Sequence, residues 1–169
     1  MMQSQHAAQR IGVFVDVQNM YYSARNLFSK KVNFGAILKE AVGERQLVRA
    51  IAYVIKAEVE QEKNFFEALN RQGFEVRSKD LQTFAGGSKK GDWDVGLAMD
   101  VLKIGPKLDV VVLVSGDGDY IDLIRYVKEV IGARFEVIAF GETTSSKLLE
   151  EAHQFTDLSK DKAKFLLAK

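Results

Sequence analysis

Five short segments rich in apolar residues, several of them β-branched, recur along the chain and constrain its fold more than any other feature. The clearest run is VVVLV at Val110–Val114, which contains no polar residue. A strand with apolar side chains on both sides must be covered on both faces, and such strands are typical of parallel sheets. The runs predict strands over Ile11–Val15, Leu47–Ile55, Phe74–Val76, Val110–Val114 and Phe135–Phe140.

Segments with helical periodicity separate these strands. The segment Trp93–Ile104, for example, places Val95, Met99 and Leu102 three or four residues apart, which is the spacing of one helix face. Strands that alternate with helices predict an α/β fold with a mostly parallel sheet and right-handed crossovers. The predicted helices cover Asn19–Phe28, Phe34–Ala41, Glu58–Gln72, Trp93–Ile104, Ile121–Ile131, Ser145–Ala152 and Asp161–Ala168.

The composition fits a single domain and excludes several kinds of site. The chain has 169 residues, 47% of them hydrophobic, which is enough to bury a full core without disulfides. It has no cysteine, and its two histidines, His6 and His153, lie far apart, so thiolate and histidine-rich metal sites are not expected. No stretch is apolar enough to span a membrane, and the polar first ten residues lack the apolar core of a signal peptide. We expect a cytoplasmic protein whose residues 1–10 form a flexible arm.

Two groups of carboxylates come directly after predicted strands, at the sheet edge where α/β proteins bind their ligands. Asp16 follows the first strand, with Asn19 three residues on. The string SGDGD at residues 115–119 follows the VVVLV strand, and its glycines allow a sharp turn that points Asp117 and Asp119 into one pocket. Helix capping is the alternative explanation for Asp16 and Asp119.

A third acidic group opens a predicted helix. The string KKGDWD at residues 89–94 places Asp92 and Asp94 in or before the first helical turn, where the helix dipole alone favours acidic residues. A functional role for Asp94 is favoured because two other acidic groups follow predicted strands. Asp100 lies six residues on, roughly 120° around the helix from Asp94, so a helix-surface or buried capping role explains it equally well.

These acidic groups predict a site for a hard cation. If Asp16, Asp94, Asp117 and Asp119 converge, their mutual repulsion raises some of their pKa values, and a divalent cation relieves that repulsion. Oxygen ligands without cysteine or histidine select Mg²⁺ or Mn²⁺. Such ions bind phosphates and activate water for in-line attack, so the expected substrate is a phosphate ester.

A polyanionic substrate would need cations and stacking surfaces beside the acidic pocket. The net charge of only +1 shows no basic excess in the chain as a whole, so the cations would have to be clustered locally. The glycine-rich residues 86–91 are predicted to form a mobile loop that brings Lys89 and Lys90 to the substrate. A solvated surface explains the lysines equally well, and core packing is the preferred explanation for Tyr22 and Phe84. The other candidate cations are Lys79, Arg25, Lys30 and Lys31, and the candidate stacking residues are Tyr21, Tyr22, Phe84 and Trp93.

Taken together, the motifs resemble those of the NYN domain family, the LabA-like branch of the PIN-like nucleases. V-D-x-x-N at Asp16 and Asn19, K-G-x-x-D at residues 90–94 and S-G-D-G-D-Y at residues 115–120 occur in the order seen in that family, and I-A-F-G at residues 138–141 follows them. The resemblance covers about residues 10–158. It implies a three-layer α/β/α sandwich of the PIN-like, Rossmann-like kind, with a central mostly parallel sheet, an acidic Mg²⁺ pocket and ribonuclease-type cleavage of phosphodiester bonds.

The resemblance also implies roles for individual residues. Asp92 competes with Asp94 as a metal ligand because a shorter spacing after Gly91 is familiar in the family. Asp100 stands where members often carry a second acid on that helix, and Tyr120 stands where Phe is common. The implied catalytic metal ligands are Asp16, Asp94, Asp117 and Asp119, the implied polar supports of the pocket are Asn19 and Ser115, and the candidate substrate-binding residues are Asn19, Lys89, Lys90 and Ser115.

The sequence leaves two other functions to weigh. A haloacid dehalogenase-like phosphatase needs a second acid two residues after the aspartate of the first strand, and Gln18 occupies that position. An RNA-binding regulatory module of the same fold would use the same lysines and aromatics without cleavage, but the acid set is intact, which favours a nuclease. A dinucleotide-binding domain is set aside because no G-x-G-x-x-G follows the first strand.

The expected partner is nucleic acid, RNA rather than DNA, and a homodimer is an open alternative to the monomer. The domain is expected over residues 11–158, followed by a C-terminal helical extension over residues 159–169. The apolar residues of that extension, at 165–167, are expected to pack on their own domain rather than on a partner.

Overall fold

A parallel sheet of six strands forms the centre of the protein. The computed structural model describes residues 6–56, 61–80, 82–83, 85, 89–90 and 92–168. Five of the strands in this part of the chain are β1 (Arg10–Asp16), β2 (Lys31–Val32), β3 (Gln46–Lys56), β4 (Glu75–Asp80) and β5 (Gln82–Thr83). The others are β6 (Lys89–Lys90), β7 (Val110–Val114), β8 (Arg134–Ala139), β9 (Gln154–Asp157) and β10 (Leu166–Leu167). The central sheet has the order β4-β3-β1-β7-β8-β9, and every pairing in it is parallel.

Helices cover both faces of this sheet and complete a three-layer α/β/α fold. Among the described residues the α-helices are α1 (Val17–Phe28), α2 (Phe34–Val42), α3 (Gln61–Arg71), α4 (Asp94–Ile104), α5 (Ile121–Tyr126), α6 (Ser146–Glu151) and α7 (Lys162–Phe165). Helices α1 to α3 and the C-terminal segment pack on one face, and helices α4 to α6 pack on the other. A π-helical turn over Val127–Ile131 continues α5.

The central strands are buried on both sides, as their apolar runs predict. In β7, Val112 packs in the core on the α1 side, and its neighbours Val111 and Leu113 pack in the core on the α4 side. In β1, Val13 and Phe14 divide between the two cores in the same way. A strand that contributes to two cores must be apolar at consecutive positions, which confirms the α/β prediction.

All five predicted strands are present, but no apolar run in the sequence predicts β9, the sixth strand of the central sheet. This strand is at the edge of the sheet, and all four of its residues are half-buried. It contains one large apolar residue, Phe155, in the sequence QFTD. An edge strand of this length leaves too little apolar pattern to be recognised.

The predicted helix over Asp161–Ala168 is wrong at its C-terminal end. The chain is α-helical only over Lys162–Phe165, and Leu166–Leu167 then pairs antiparallel with Lys31–Val32. Leu166 is buried in the core on the α1 side. Pairing with β2 and burial of Leu166 favour a strand here over a helix. A local sequence pattern does not show this pairing, because β2 comes from a distant part of the chain.

Two predicted flexible segments lie partly outside the described residues. Residues 1–5 of the predicted arm lie outside them, and Arg10 is the first residue of β1. Residues 86–88 and 91 of the predicted loop also lie outside them, whereas Lys89–Lys90 pairs antiparallel with Gln82–Thr83. Among the helices that the structure describes, none is long and apolar enough to cross a membrane.

A buried ion pair ties the connection between α2 and β3 to strand β8. The guanidinium of Arg45 donates to both carboxylate oxygens of Glu136, at 3.0 and 2.9 Å, and also to the carbonyl oxygen of Ala41 at 2.7 Å. Arg134 donates to Glu136 at 2.8 Å. Burial raises the pKa of Glu136, but the hydrogen bonds and charges of the two arginines outweigh it and hold that pKa below its usual value.

We expect Glu136→Gln to lower the free energy of unfolding by about 3–5 kcal/mol, because it leaves the buried Arg45 charge without its partner. Urea denaturation at neutral pH measures this loss. Glu75→Gln is the matched control, since Glu75 pairs with Arg49 at a partly exposed position, and we expect that change to cost about 0–1 kcal/mol. Similar losses in the two variants would contradict the prediction.

Candidate metal centre

Three acidic side chains meet at the carboxyl edge of the central sheet. Strands β1 and β7 are parallel neighbours, so their carboxyl ends lie side by side. Asp16 is the last residue of β1, Asp117 lies three residues beyond β7, and Asp94 is the first residue of α4. One carboxylate oxygen of each lies within 4.8 Å of those of the other two. The structure therefore brings together three of the four metal ligands proposed from the sequence.

Asp16 is the most buried member of the group and is held by three neutral donors. Asp16 is only 7% exposed. Oδ1 accepts the backbone N–H of Asn19 at 3.2 Å, and Oδ2 accepts the hydroxyls of Ser115 and Tyr120, each at 3.2 Å. Asp16 is thus the N-cap of α1 and a member of the acidic group at once, so both explanations drawn from the sequence apply.

The loop after β7 holds Asp117 by its own backbone and by α1. The N–H of Asp117 donates to the hydroxyl oxygen of Ser115 at 3.1 Å, and the N–H of Gly116 donates to Oδ1 of Asn19 at 3.0 Å. A Cβ on Gly116 would lie 2.9 Å from Oγ1 of Thr144 and 3.0 Å from its Cα. Position 116 must therefore be glycine for the loop to pack this closely, and hydrogen bonds to Asn19 and Ser115 hold the loop in place.

Tyr120 is a member of the site that the sequence did not identify. Its hydroxyl lies between two carboxylates, 3.2 Å from Oδ2 of Asp16 and 3.1 Å from Oδ1 of Asp94. The ring is buried in the core on the α4 side. Tyr120 is part of the S-G-D-G-D-Y string, but nothing in a linear sequence shows that its hydroxyl reaches two acids from other elements.

The acidic group carries negative charge that no cation among the described residues neutralises. Burial, together with the charges of Asp117 and Asp16, raises the pKa of Asp94 to about 6. Burial also raises the pKa of Asp16, despite its three hydrogen bonds. In the part of the chain that the structure describes, no lysine, arginine or histidine forms an ion pair with any of the three.

A divalent cation fits this arrangement. Three carboxylates with oxygens this close would be stabilised by a positive charge between them, and their all-oxygen donor set suits Mg²⁺ or Mn²⁺. Asp16, Asp94 and Asp117 are the residues that could hold the ion. Tyr120, Ser115 and the backbone of Asn19 would orient the carboxylates around it.

Asp119 and Asp92, also considered as ligands, lie outside this group of three. Asp119 is exposed, and its backbone N–H donates to Oδ1 of Asp117 at 2.9 Å. Asp92 is exposed too, and its side chain accepts the backbone N–H of Asp94 at 3.2 Å. Each supports a neighbouring member of the group, and a direct role for either in metal binding stays a prediction.

Asp100 belongs to a separate polar cluster on the same helix. Its Oδ2 accepts the hydroxyl of Tyr53 at 2.7 Å and pairs with Nη1 of Arg77 at 3.4 Å. Asp100 is 6% exposed, so it is a buried carboxylate with its own cation. This position agrees with a buried structural role, one of the explanations that its place in the sequence allows.

Trp93 and Lys79 stabilise the start of α4. The indole Nε1 of Trp93 donates to the carbonyl oxygen of Val54 at 2.8 Å, and its ring packs 5.3 Å from the ring of Tyr53. The Lys79 ammonium lies 4.3 Å from the centre of the Trp93 ring and donates to the carbonyl oxygen of Asp92 at 3.2 Å. These contacts fix the backbone immediately before Asp94.

The remaining candidate substrate contacts give a mixed outcome. The prediction that Tyr22 packs in the core is wrong, because Tyr22 lies on α1 and is 47% exposed. Phe84 lies outside the described residues. The structure describes the backbone of Lys89 and Lys90, in β6, but their side chains lie outside what it describes.

Comparisons with known proteins agree with one another. The model of the NYN domain family matches residues 10–159. The low amplitude and bright protein LabA of Synechococcus elongatus is 28% identical over 130 residues, which cover 69% of this chain and 68% of that protein. The crystal structure of VPA0982, a Vibrio parahaemolyticus protein of unknown function, superposes with a TM-score of 0.87 at 34% identity, covering 98% of this chain and 100% of that one.

We expect Asp94→Asn to stabilise the metal-free protein at pH 7. The pKa of Asp94 in the folded state, about 6, lies above the ordinary value of 3.8, so this group costs stability as the pH rises through that range. Because Asp94 is partly exposed, we discount the effect for solvent screening and expect a gain of about 1 kcal/mol. Urea denaturation in EDTA measures it.

The gain should shrink towards zero near pH 4, where Asp94 is protonated in the folded protein. Asp119→Asn serves as the control, since this exposed residue lies outside the group of three and should show no such pH-dependent gain. An equal gain from Asp94→Asn at pH 4 and pH 7 would count against the electrostatic origin of the effect.

We expect Tyr120→Phe to weaken Mn²⁺ binding by about 10- to 100-fold, the usual effect of removing a group that orients metal ligands. Calorimetric titration of Mn²⁺ into the protein at pH 7 measures the affinity. Tyr53→Phe makes the same change at a buried tyrosine whose hydroxyl binds Asp100, and it should leave Mn²⁺ affinity unchanged. Wild-type affinity in Tyr120→Phe would show that the hydroxyl does not position the ligands.

Proposed function

Since the chain belongs to the NYN domain family, whose members share the PIN-like nuclease fold, we propose that it is a metal-dependent ribonuclease. The observation that carries the proposal is the group formed by Asp16, Asp94 and Asp117 at the carboxyl edge of the sheet. Ligands of open parallel sheets bind at this edge. The raised pKa of Asp94 supports a site that is built to receive positive charge.

In this proposal the chain's residues hold and orient the reacting groups. Asp16 and Asp117 enter from neighbouring strands and Asp94 from α4, so the three carboxylates surround one position. Mg²⁺ or Mn²⁺ bound there would activate water and stabilise charge on the phosphate during in-line attack. Ser115 and Tyr120 keep the Asp16 carboxylate fixed while the substrate binds.

RNA is the proposed substrate because the NYN resemblance implies ribonuclease-type cleavage. We propose that Lys89 and Lys90, with Asn19 and Ser115, form the substrate side of the pocket. In support, β6 is separated from Asp92 by a single residue. A location in the cytoplasm stays a prediction from the sequence, and a homodimer stays an open alternative to the monomer.

The test is cleavage of labelled single-stranded RNA and DNA by the wild type and by Asp117→Asn, with Mg²⁺, Mn²⁺ or EDTA. We expect RNA to be cut only with metal, and Asp117→Asn to slow cutting by at least about 10²–10³-fold, as for loss of one charge-stabilising group in an active site. Circular dichroism of the variant checks that it is folded. Cutting that resists EDTA, or that survives in Asp117→Asn, would overturn the proposal.

Asp119→Asn is the matched variant two residues away. Retained activity would restrict the metal ligands to the group of three, and a loss equal to that of Asp117→Asn would add Asp119 to them. Binding of RNA without any cutting by the wild type would instead favour a regulatory RNA-binding module of the same fold.

A further inference from the structure

Helix α1, which begins directly after Asp16, carries a pair of exposed tyrosines. Tyr21 and Tyr22 are 45% and 47% exposed, and their rings meet edge to face with centroids 5.2 Å apart. The neighbouring residues Met20 and Ala24 fix the helix in the core on the α1 side. The tyrosines therefore stand on a rigid base and present aromatic surface to solvent.

The position of this pair is fixed relative to the acidic group. Helix α1 begins directly after Asp16, and Asn19 accepts a hydrogen bond from the loop that carries Asp117. Tyr22 lies three residues beyond Asn19, on an adjacent part of the helix surface. At a rise of 1.5 Å per residue, Tyr22 lies roughly 9 Å from Asp16 along the helix axis.

The same stretch of chain carries basic residues but no acidic ones. Residues 17–39 contain four basic residues and no aspartate or glutamate, although the whole chain has a net charge of only +1. Arg25 lies one turn beyond Tyr21 and Tyr22 and is exposed, as are Lys30 and Lys31 after the helix. None of these three forms an ion pair with any residue that the structure describes.

The C-terminal segment adds a cation at the far end of this surface. Strand β10 pairs with β2, which follows α1, and this pairing holds α7 beside the end of α1. The ammonium of Lys162 lies 4.6 Å from the centre of the Phe28 ring. The basic surface thus continues from Arg25 to the end of α1.

We propose that this α1 surface, formed by Tyr21, Tyr22, Arg25, Lys30 and Lys31, binds a single-stranded segment of RNA next to the bond that is cut. Tyrosine faces stack on unpaired bases, which a duplex keeps inside its helix, and basic side chains contact the phosphates. The inference rests on the proposed function and narrows its substrate to RNA that is unpaired beside the cleavage site.

The charge of the surface favours nucleic acid over a second copy of the chain. A two-fold interface centred on α1 would place Arg25 and its neighbours against the same basic residues of the other copy, and like charges repel across an interface. A polyanion instead finds cations that have no partner among the described residues. A cation held by Asp16, Asp94 and Asp117 would then lie between these carboxylates and a phosphate of the bound RNA.

The test is fluorescence polarisation with a labelled single-stranded RNA of about a dozen nucleotides, free or annealed to its complement, in EDTA to prevent cleavage. Stacking on an aromatic side chain changes affinity by about 5- to 150-fold per base. We expect the double variant Tyr21→Ala/Tyr22→Ala to weaken single-strand binding by at least about 10-fold, with less than a two-fold effect on the duplex.

Two matched variants keep the test specific. Tyr126→Ala removes a tyrosine of similar exposure, 44%, from α5 on the other face of the sheet, and it should leave binding unchanged. Tyr21→Phe/Tyr22→Phe keeps the aromatic faces and should retain the wild-type affinity. Circular dichroism and gel filtration report whether each variant is folded and whether its mass has changed.

Unchanged single-strand affinity in the double alanine variant, an equal loss for the duplex, or a fall in oligomeric mass would overturn the inference. A different result would contradict the proposed nuclease function. In that case single strands would bind through Tyr21 and Tyr22, yet the wild type would show no metal-dependent cutting. If the double alanine variant cuts single strands with the wild-type KM, the inference about the α1 surface is wrong and the proposed nuclease function is retained.

Discussion

The buried carboxylate of Asp16 is the interaction on which the rest of the site depends. It ends β1, caps α1, and accepts hydrogen bonds from Ser115 after β7 and from Tyr120 before α5. One side chain therefore sets the positions of four elements around the carboxyl edge of the sheet. Its donors among the described residues are all neutral, so they orient its charge without cancelling it, and the position beside it favours a cation.

A second buried carboxylate in the same sheet shows the opposite solution. Glu136 receives hydrogen bonds from Arg45 and Arg134, and its pKa lies below the usual value. Burial instead raises the pKa of Asp16, which forms no ion pair with any described residue. Asp94 and Asp100 repeat this contrast along α4, because Asp100 pairs with an arginine and Asp94 does not. Glu136 and Asp100 are thus paired with arginines inside the fold, whereas Asp16 and Asp94 belong to the acidic group that could hold a metal ion.

Much of the fold could be predicted because a buried parallel strand has a strong local signature. The runs ending in Asp16 and in Val114 are apolar at consecutive positions since each strand faces two cores. The elements that were missed have no such signature. Strand β9 is short and half-buried, and β10 becomes a strand instead of a helix because a distant partner, β2, offers it hydrogen bonds.

The sequence by itself determined five of the six strands of the central sheet, its carboxyl edge and the candidate acids, because buried strands, strand ends and turn glycines are local features that adjacent residues encode. Only the tertiary structure decided which acids meet. Asp94 joins Asp16 and Asp117, while Asp100 pairs with Arg77, because helix position and strand register set distances that linear spacing does not. It also decided the role of Tyr120, since one hydroxyl reaches carboxylates that lie 104 and 26 residues away in the chain.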